Sequence, residues 1–74
     1  MPLVNVKIIE HVFTPEQKQE MIERLTDTMV SIEGENLRDV TWVVLEEVRS
    51  GNWGVGGNAL STEAVKALAA GAPA

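Results

Sequence analysis

At 74 residues the chain has room for one small domain spanning 1–74, and a domain near that size buries only ~60% of the surface its unfolded chain exposes. With no cysteine and a single histidine, neither a disulfide nor a side-chain metal site is expected to supplement the core, which leaves self-association. A net charge of −5, from 6 basic and 11 acidic residues, argues against nucleic acid as a partner, and any anionic substrate would need a local basic group. The N-terminus has neither the charged region nor the apolar run of a signal peptide, and no stretch approaches ~20 apolar residues. A soluble, cytoplasmic protein without a membrane partner is therefore expected.

From Leu3 to Ile9 apolar and polar residues alternate, with Val4, Val6 and Ile8 on one face and Asn5 and Lys7 on the other, which predicts a strand. His11, Val12 and Phe13 form a short connection. Thr14-Pro15-Glu16-Gln17 predicts a helix start: Thr14 caps, Pro15 takes the first helical position and Gln17 completes a capping box. Met21, Ile22, Leu25, Met29 and Ile32 follow at helical spacing as core packing, and Gly34 ends the helix.

Val40 to Val48 is rich in β-branched and aromatic residues and predicts a second strand, whose Val43-Val44-Leu45 centre is apolar on both faces. One face takes the helix; the other needs another subunit, with Val43, Leu45 or their neighbours at the contacts. Two strands joined by a long helix make a β-α-β unit, parallel with a right-handed crossover. Ser50 to Gly57 holds four of the six glycines around Trp53 and Val55, predicting a hairpin or tight loop. Ser61 or Thr62 then caps a short helix through Ala70, ended by Gly71 and Pro73. The fold class is α+β: a β-α-β protomer with a short C-terminal hairpin and helix, assembled into an oligomer.

Three segments, in order and at matching separations, resemble the 4-oxalocrotonate tautomerases: Met1-Pro2-Leu3-Val4-Asn5-Val6, Thr14-Pro15-Glu16-Gln17-Lys18 and Asn52-Trp53-Gly54-Val55-Gly56-Gly57. The resemblance covers about residues 2 to 57. It implies a homo-oligomer, a hexamer or trimer, with active sites shared between subunits. It implies no cofactor and no metal. The activity it implies is proton transfer between oxygen and carbon of a small enol, dienol or 2-keto acid, with Pro2 as the catalytic residue once Met1 is removed.

Physical chemistry accounts for a proline in that role. Inside a chain its nitrogen is an amide without a basic lone pair. At the terminus it is a secondary amine, and free α-amino groups titrate at ~7.7–8.0. An apolar pocket disfavours the ammonium form and moves that value down, so a neutral amine serves as base and, once protonated, as acid. The ring also limits the amine's orientations.

The best-known members of the family carry two arginines that hold and polarise the substrate, and this sequence has neither. The first would fall at Val12 or Phe13, the second at Thr41 or Trp42. That puts a dicarboxylate substrate in doubt. Arg38 and Arg49, flanking the second strand, are the available replacements, set against simple solvation of both. Trp53 and Trp42 are expected to line a more apolar pocket selecting a less charged substrate, Trp42 equally suiting core or interface packing. Ile9, closing the first strand, is grouped with them as a substrate-binding position. His11 is expected to be an exposed loop residue, and Glu46 and Glu47 to lie on opposite faces of a strand rather than to form an acid–base pair. Two further functions share the scaffold: hydration or dehalogenation of an unsaturated acid through Pro2, and a non-catalytic oligomer.

Overall fold

The computed structural model describes residues 1–71, so Pro73 lies outside the described residues. The strands and α-helices follow one another as β1 (Leu3–Ile9), α1 (Pro15–Glu33), β2 (Trp42–Val48), β3 (Trp53–Val55), β4 (Asn58–Leu60) and α2 (Thr62–Ala69). β1 pairs with β2, and β3 with β4. The chain groups into two compact units, one of Met1–Val6 with Thr14–Glu46, the other of Lys7–Phe13 with the residues from Glu47 on.

In the first unit, Trp42 N donates to the Pro2 carbonyl at 3.0 Å, and in the second, Glu10 N donates to the Val48 carbonyl at 2.8 Å. Both joins run in the same sense along the chain, as a parallel pair requires. The helix start follows the sequence closely. Gln17 N donates to Thr14 Oγ1 at 3.1 Å, and Thr14 N donates to Gln17 Oε1 at 2.9 Å. Two N–H groups that the first turn would leave without partners are thereby satisfied. At the other end Gly34 (φ 105°) donates its N–H to the Val30 carbonyl.

Two boundaries and one core position depart from the sequence reading. Val40 belongs to a 3₁₀ turn over Glu35–Val40, and β2 begins only at Trp42. The turn is held by side chains of its own and of α1: Arg38 bridges Asp27 and Glu35, and Thr41 Oγ1 donates to Glu33 Oε1. Local polar bonds thus outweigh the β propensity of Val40. Ile32 is 78% exposed while Val30 is 5% exposed. The sheltered stripe of α1 runs through Met21, Ile22, Leu25, Met29 and Val30 and drifts round the helix towards its C-terminus, leaving Ile32 outside it. The last helix ends at Ala69, with Ala70 as its cap and Gly71 at φ 93° beyond.

Alternation along the strands of the first unit is regular. Val4, Val6, Val43 and Leu45 are half-buried, whereas Leu3, Trp42 and Val44 are exposed. Asn5 Nδ2 donates to Glu46 Oε1 at 2.7 Å, which puts the Leu3 side of β1 and the Trp42 side of β2 on one face. So Trp42 and Val44, not Val43 and Leu45, face solvent.

The second unit is built from segments far apart in sequence. Its buried residues are Ile8, Ile9 and Thr62. β3 and β4 form an antiparallel hairpin with Trp53 opposite Leu60 and Val55 opposite Asn58. The two-residue turn between them is Gly56-Gly57, at φ 58° and 85°; both values are left-handed, as the tight turn matching strand twist demands, and glycine takes them without Cβ strain.

Candidate active site

Pro2 is half-buried at the head of β1. Its carbonyl accepts the Trp42 N–H, which ties the residue to β2. Met1 precedes it and is exposed, so in this form the Pro2 nitrogen is a tertiary amide without a basic lone pair. Beside it, Trp42 is 56% exposed.

The second unit holds a concave, mainly apolar site of about 300 Å³ whose lining includes Ile9, Phe13, Trp53, Leu60 and Val65 together with Lys7. Each element delivers its part for a local reason. The Gly56-Gly57 turn sets the hairpin register that puts Trp53 against Leu60. Ser61 Oγ accepts from Ala64 N at 3.1 Å and starts α2, so Val65 stands in its first turn. A set of polar bonds fixes this start: Thr62 N donates to Ser50 Oγ at 2.8 Å, Thr62 Oγ1 to the Glu10 carbonyl at 2.7 Å, and Ser50 N to Glu10 Oε1 at 2.9 Å. Thr62 is 5% exposed, and its hydroxyl is thereby satisfied where an unpaired one would be costly. A second recess of about 230 Å³ lies on Lys7, Val48, Asn52, Trp53 and Gly54. Lys7 and Trp53 line both.

Of the residues singled out from sequence, Ile9 and Trp53 line one pocket, and Pro2 and Trp42 are joined by a backbone hydrogen bond. Arg38 lines neither recess. Its Nη1 donates to Asp27 at 2.9 Å and its Nε to Glu35 at 2.7 Å. Those hydrogen bonds raise the guanidinium's pKa further, and the bond from Arg38 lowers the Glu35 carboxyl below its ordinary value. Arg38 is thereby committed to the 3₁₀ turn. Arg49 is exposed and its carbonyl accepts from Asn52 N. His11 is exposed in the connection, 3.4 Å from Glu10 Oε2. Among the described residues no cluster of His, Cys, Asp or Glu is arranged to hold a metal ion, and no helix is long and apolar enough to cross a membrane. Lys7 and Phe13 were not identified as pocket residues from the sequence. The signal for Lys7 was the acid excess, which demands a local cation for any anionic ligand; alternation alone made it only one more outward polar position.

Comparison with known proteins agrees with this architecture. The model of the tautomerase enzyme family matches residues 2–63. A probable tautomerase of Dickeya dadantii is 38% identical over 61 residues, 82% of this chain and 90% of its own. A probable tautomerase of Campylobacter jejuni is 39% identical over 69 residues, 93% and 97%. Among solved structures, DmpI from Helicobacter pylori superposes with a TM-score of 0.70 at 36% identity, covering 80% of this chain and 95% of that one. A 4-oxalocrotonate tautomerase isozyme from Methylibium petroleiphilum gives 0.69 at 31% identity, covering 86% and 97%. With its β-α-β order, its hairpin around Trp53 and a family match that begins at Pro2, the chain belongs to the tautomerase family.

Proposed function

We propose that the protein is a cofactor-independent tautomerase whose base is the amine of Pro2, freed by removal of Met1. The observation that carries this reading is the place of Pro2: directly after the initiator, at the head of β1, where the family match begins. The neutral amine takes the hydroxyl proton of an enol or dienol. The O–H electrons form the carbonyl, the π electrons move to carbon, and the ammonium returns its proton there. Nothing is consumed, and the base is regenerated.

The substrate side follows from the side chains. A pocket lined by Trp53, Phe13 and Ile9 suits an aryl or alkyl enol acid better than a dicarboxylate dienol. Arg38, bound to two carboxylates, is left a role in the fold. The exposed face with Leu3, Trp42 and Val44 suits coverage by further copies, a trimer or hexamer. Sedimentation at micromolar concentration tests the assembly, and a folded monomer would contradict it.

The test of the base compares processed protein, its terminus established by mass spectrometry, with protein retaining Met1. Retention leaves an amide, and loss of a positioned general base costs ~10²–10⁴-fold in turnover. Equal turnover of phenylenolpyruvate by both forms, with both assemblies intact, rules Pro2 out. Turnover of 2-hydroxymuconate above that of phenylenolpyruvate would overturn the substrate class.

A further inference from the structure

We infer that Lys7 is the specificity-determining cation of the Trp53 pocket, holding the carboxylate of a substrate whose apolar body lies against the indole. This rests on the tautomerase reading for the reaction, but on the pocket alone for the binding. Lys7 lines both recesses that flank Trp53, the larger apolar one and the smaller one that adds Asn52. Among the described residues no other cationic side chain lines either recess. The shared wall therefore offers one positive charge and one aromatic face, and the smaller recess adds the Asn52 carboxamide. That set fits a monoanion with a flat apolar body: an ammonium takes a carboxylate as a compact charge, an amide N–H adds a hydrogen bond, and the ring supplies contact area.

Charge balance strengthens the assignment. In a chain of net charge −5, the general field repels an anion, so selection for one must come from a local cation. Arg38 is held between Asp27 and Glu35, and Arg49 lines neither recess. Lys7 already interacts within the protein, so the incoming carboxylate joins or displaces that interaction. The chemistry also bounds the anion. One ammonium with an apolar wall takes one carboxylate, and a second carboxylate at the far end of the ligand would meet Phe13 and Val65, whose desolvation of it would go uncompensated.

The experiment reads binding and not turnover, so it remains informative if Pro2 is not the base. Protein retaining Met1 is titrated by calorimetry with 3-phenylpropanoate and with 3-phenylpropanamide, two unreactive ligands of one shape that differ in charge. The parent protein is expected to bind the carboxylate about tenfold more tightly, the scale of one charge-assisted hydrogen bond. Lys7→Met, which keeps an apolar stem, should bind both alike; Lys7→Arg should keep the preference, and so should Arg49→Ala. Loss of the preference on raising salt would agree with an ion pair. Lys7→Gln repeats the test if Lys7→Met does not assemble. In the processed enzyme, Lys7→Met should raise KM for phenylenolpyruvate with kcat little changed. An undiminished preference in Lys7→Met or Lys7→Gln, or none in the parent, overturns the assignment.

Discussion

The two units of this small chain are held in different ways. In the first, α1 and the turn after it are fixed locally, by the reciprocal Thr14–Gln17 cap, the Gly34 stop and Arg38 between Asp27 and Glu35. Only its strands are tied over long range, Pro2 to Trp42 and Asn5 to Glu46. In the second, Glu10, Ser50 and Thr62 form one hydrogen-bonded set although they lie 40 and 12 residues apart in sequence. The first unit leaves Leu3, Trp42 and Val44 in solvent and carries Pro2. The second encloses an apolar pocket of about 300 Å³. On the proposed function, Pro2 of the first unit would supply the chemistry and the pocket of the second the recognition. Long-range closure costs more chain entropy, and the burial of Ile8 and Ile9 together with the polar bonds around Thr62 acts against that cost there.

The sharpest way to break this contrast is to perturb each unit and ask which kinetic constant moves. Blocking the Pro2 amine should cost ~10²–10⁴-fold in kcat with KM little altered, because it removes proton transfer and leaves recognition in place. Trp53→Ala should act the other way, raising KM by roughly tenfold with a smaller change in kcat, since an aromatic contact is worth ~0.5–1.5 kcal/mol beyond its area. Steady-state assays on phenylenolpyruvate separate the two. If Trp53→Ala lowers kcat as much as the blocked amine does, recognition and chemistry do not divide as described.

Next in size is the polar set of the second unit. Thr62→Val keeps the shape but leaves the Glu10 carbonyl without its side-chain donor and removes a satisfied buried hydroxyl. The expected loss is ~1–3 kcal/mol, or several degrees in thermal midpoint for a domain of this size. It must be read at fixed protein concentration, because self-association shifts the midpoint. Amide exchange should quicken in α2 more than in α1. Equal quickening in both helices would show that the long-range bonds do not define a separate unit.

How much of this was legible in the sequence follows from the same difference. The α1 start was readable to the residue because its cap lies within four positions of chain, and the Gly34 stop likewise. A hairpin or tight loop was readable from the four glycines of Ser50 to Gly57 around Trp53 and Val55, and the structure settles it as a hairpin turning at Gly56-Gly57. Three features were not legible. Val40 has the β-branched shape of a strand residue, yet the turn is decided by Arg38 and Thr41 side chains reaching residues of α1. Ile32 sits at correct helical spacing, but the sheltered stripe drifts, a property of tertiary packing. Lys7 alternates as an outward polar residue should, and only the placement of Trp53 more than forty residues later turns that outward position into a pocket wall.

A smaller effect tests whether the first unit depends on local bonds. Thr14→Ala removes the acceptor for Gln17 N and should cost ~0.5–2 kcal/mol, with amide exchange quickening in the first turn of α1. Thr14→Ser should restore most of it. A cost below the error of a denaturant titration would mean that the start of α1 is held by packing and not by its cap.

The smallest effect concerns Arg38, and it has a definite sign. The hydrogen bond from Arg38 lowers the Glu35 pKa below its ordinary value of 4.5, with burial opposing only in part. A carboxyl whose folded pKa is depressed contributes stability above its unfolded pKa and loses that contribution as pH falls through the folded one. Arg38→Met should therefore lower the thermal midpoint near neutral pH, by less than Thr14→Ala does, since both partners stand in solvent and exposed pairs are weak and screened by salt. The gap between Arg38→Met and the parent should narrow as pH falls below 4.5, because the parent then loses what the variant already lacks. Glu35→Gln should mimic the acid limit at neutral pH. Added to Arg38→Met it should cost little more, because the pair it would break is already gone. A gap that persists unchanged to about pH 3, well below the ordinary carboxyl range, would mean that Arg38 stabilises the turn through the packing of its stem and that its charge contributes nothing measurable.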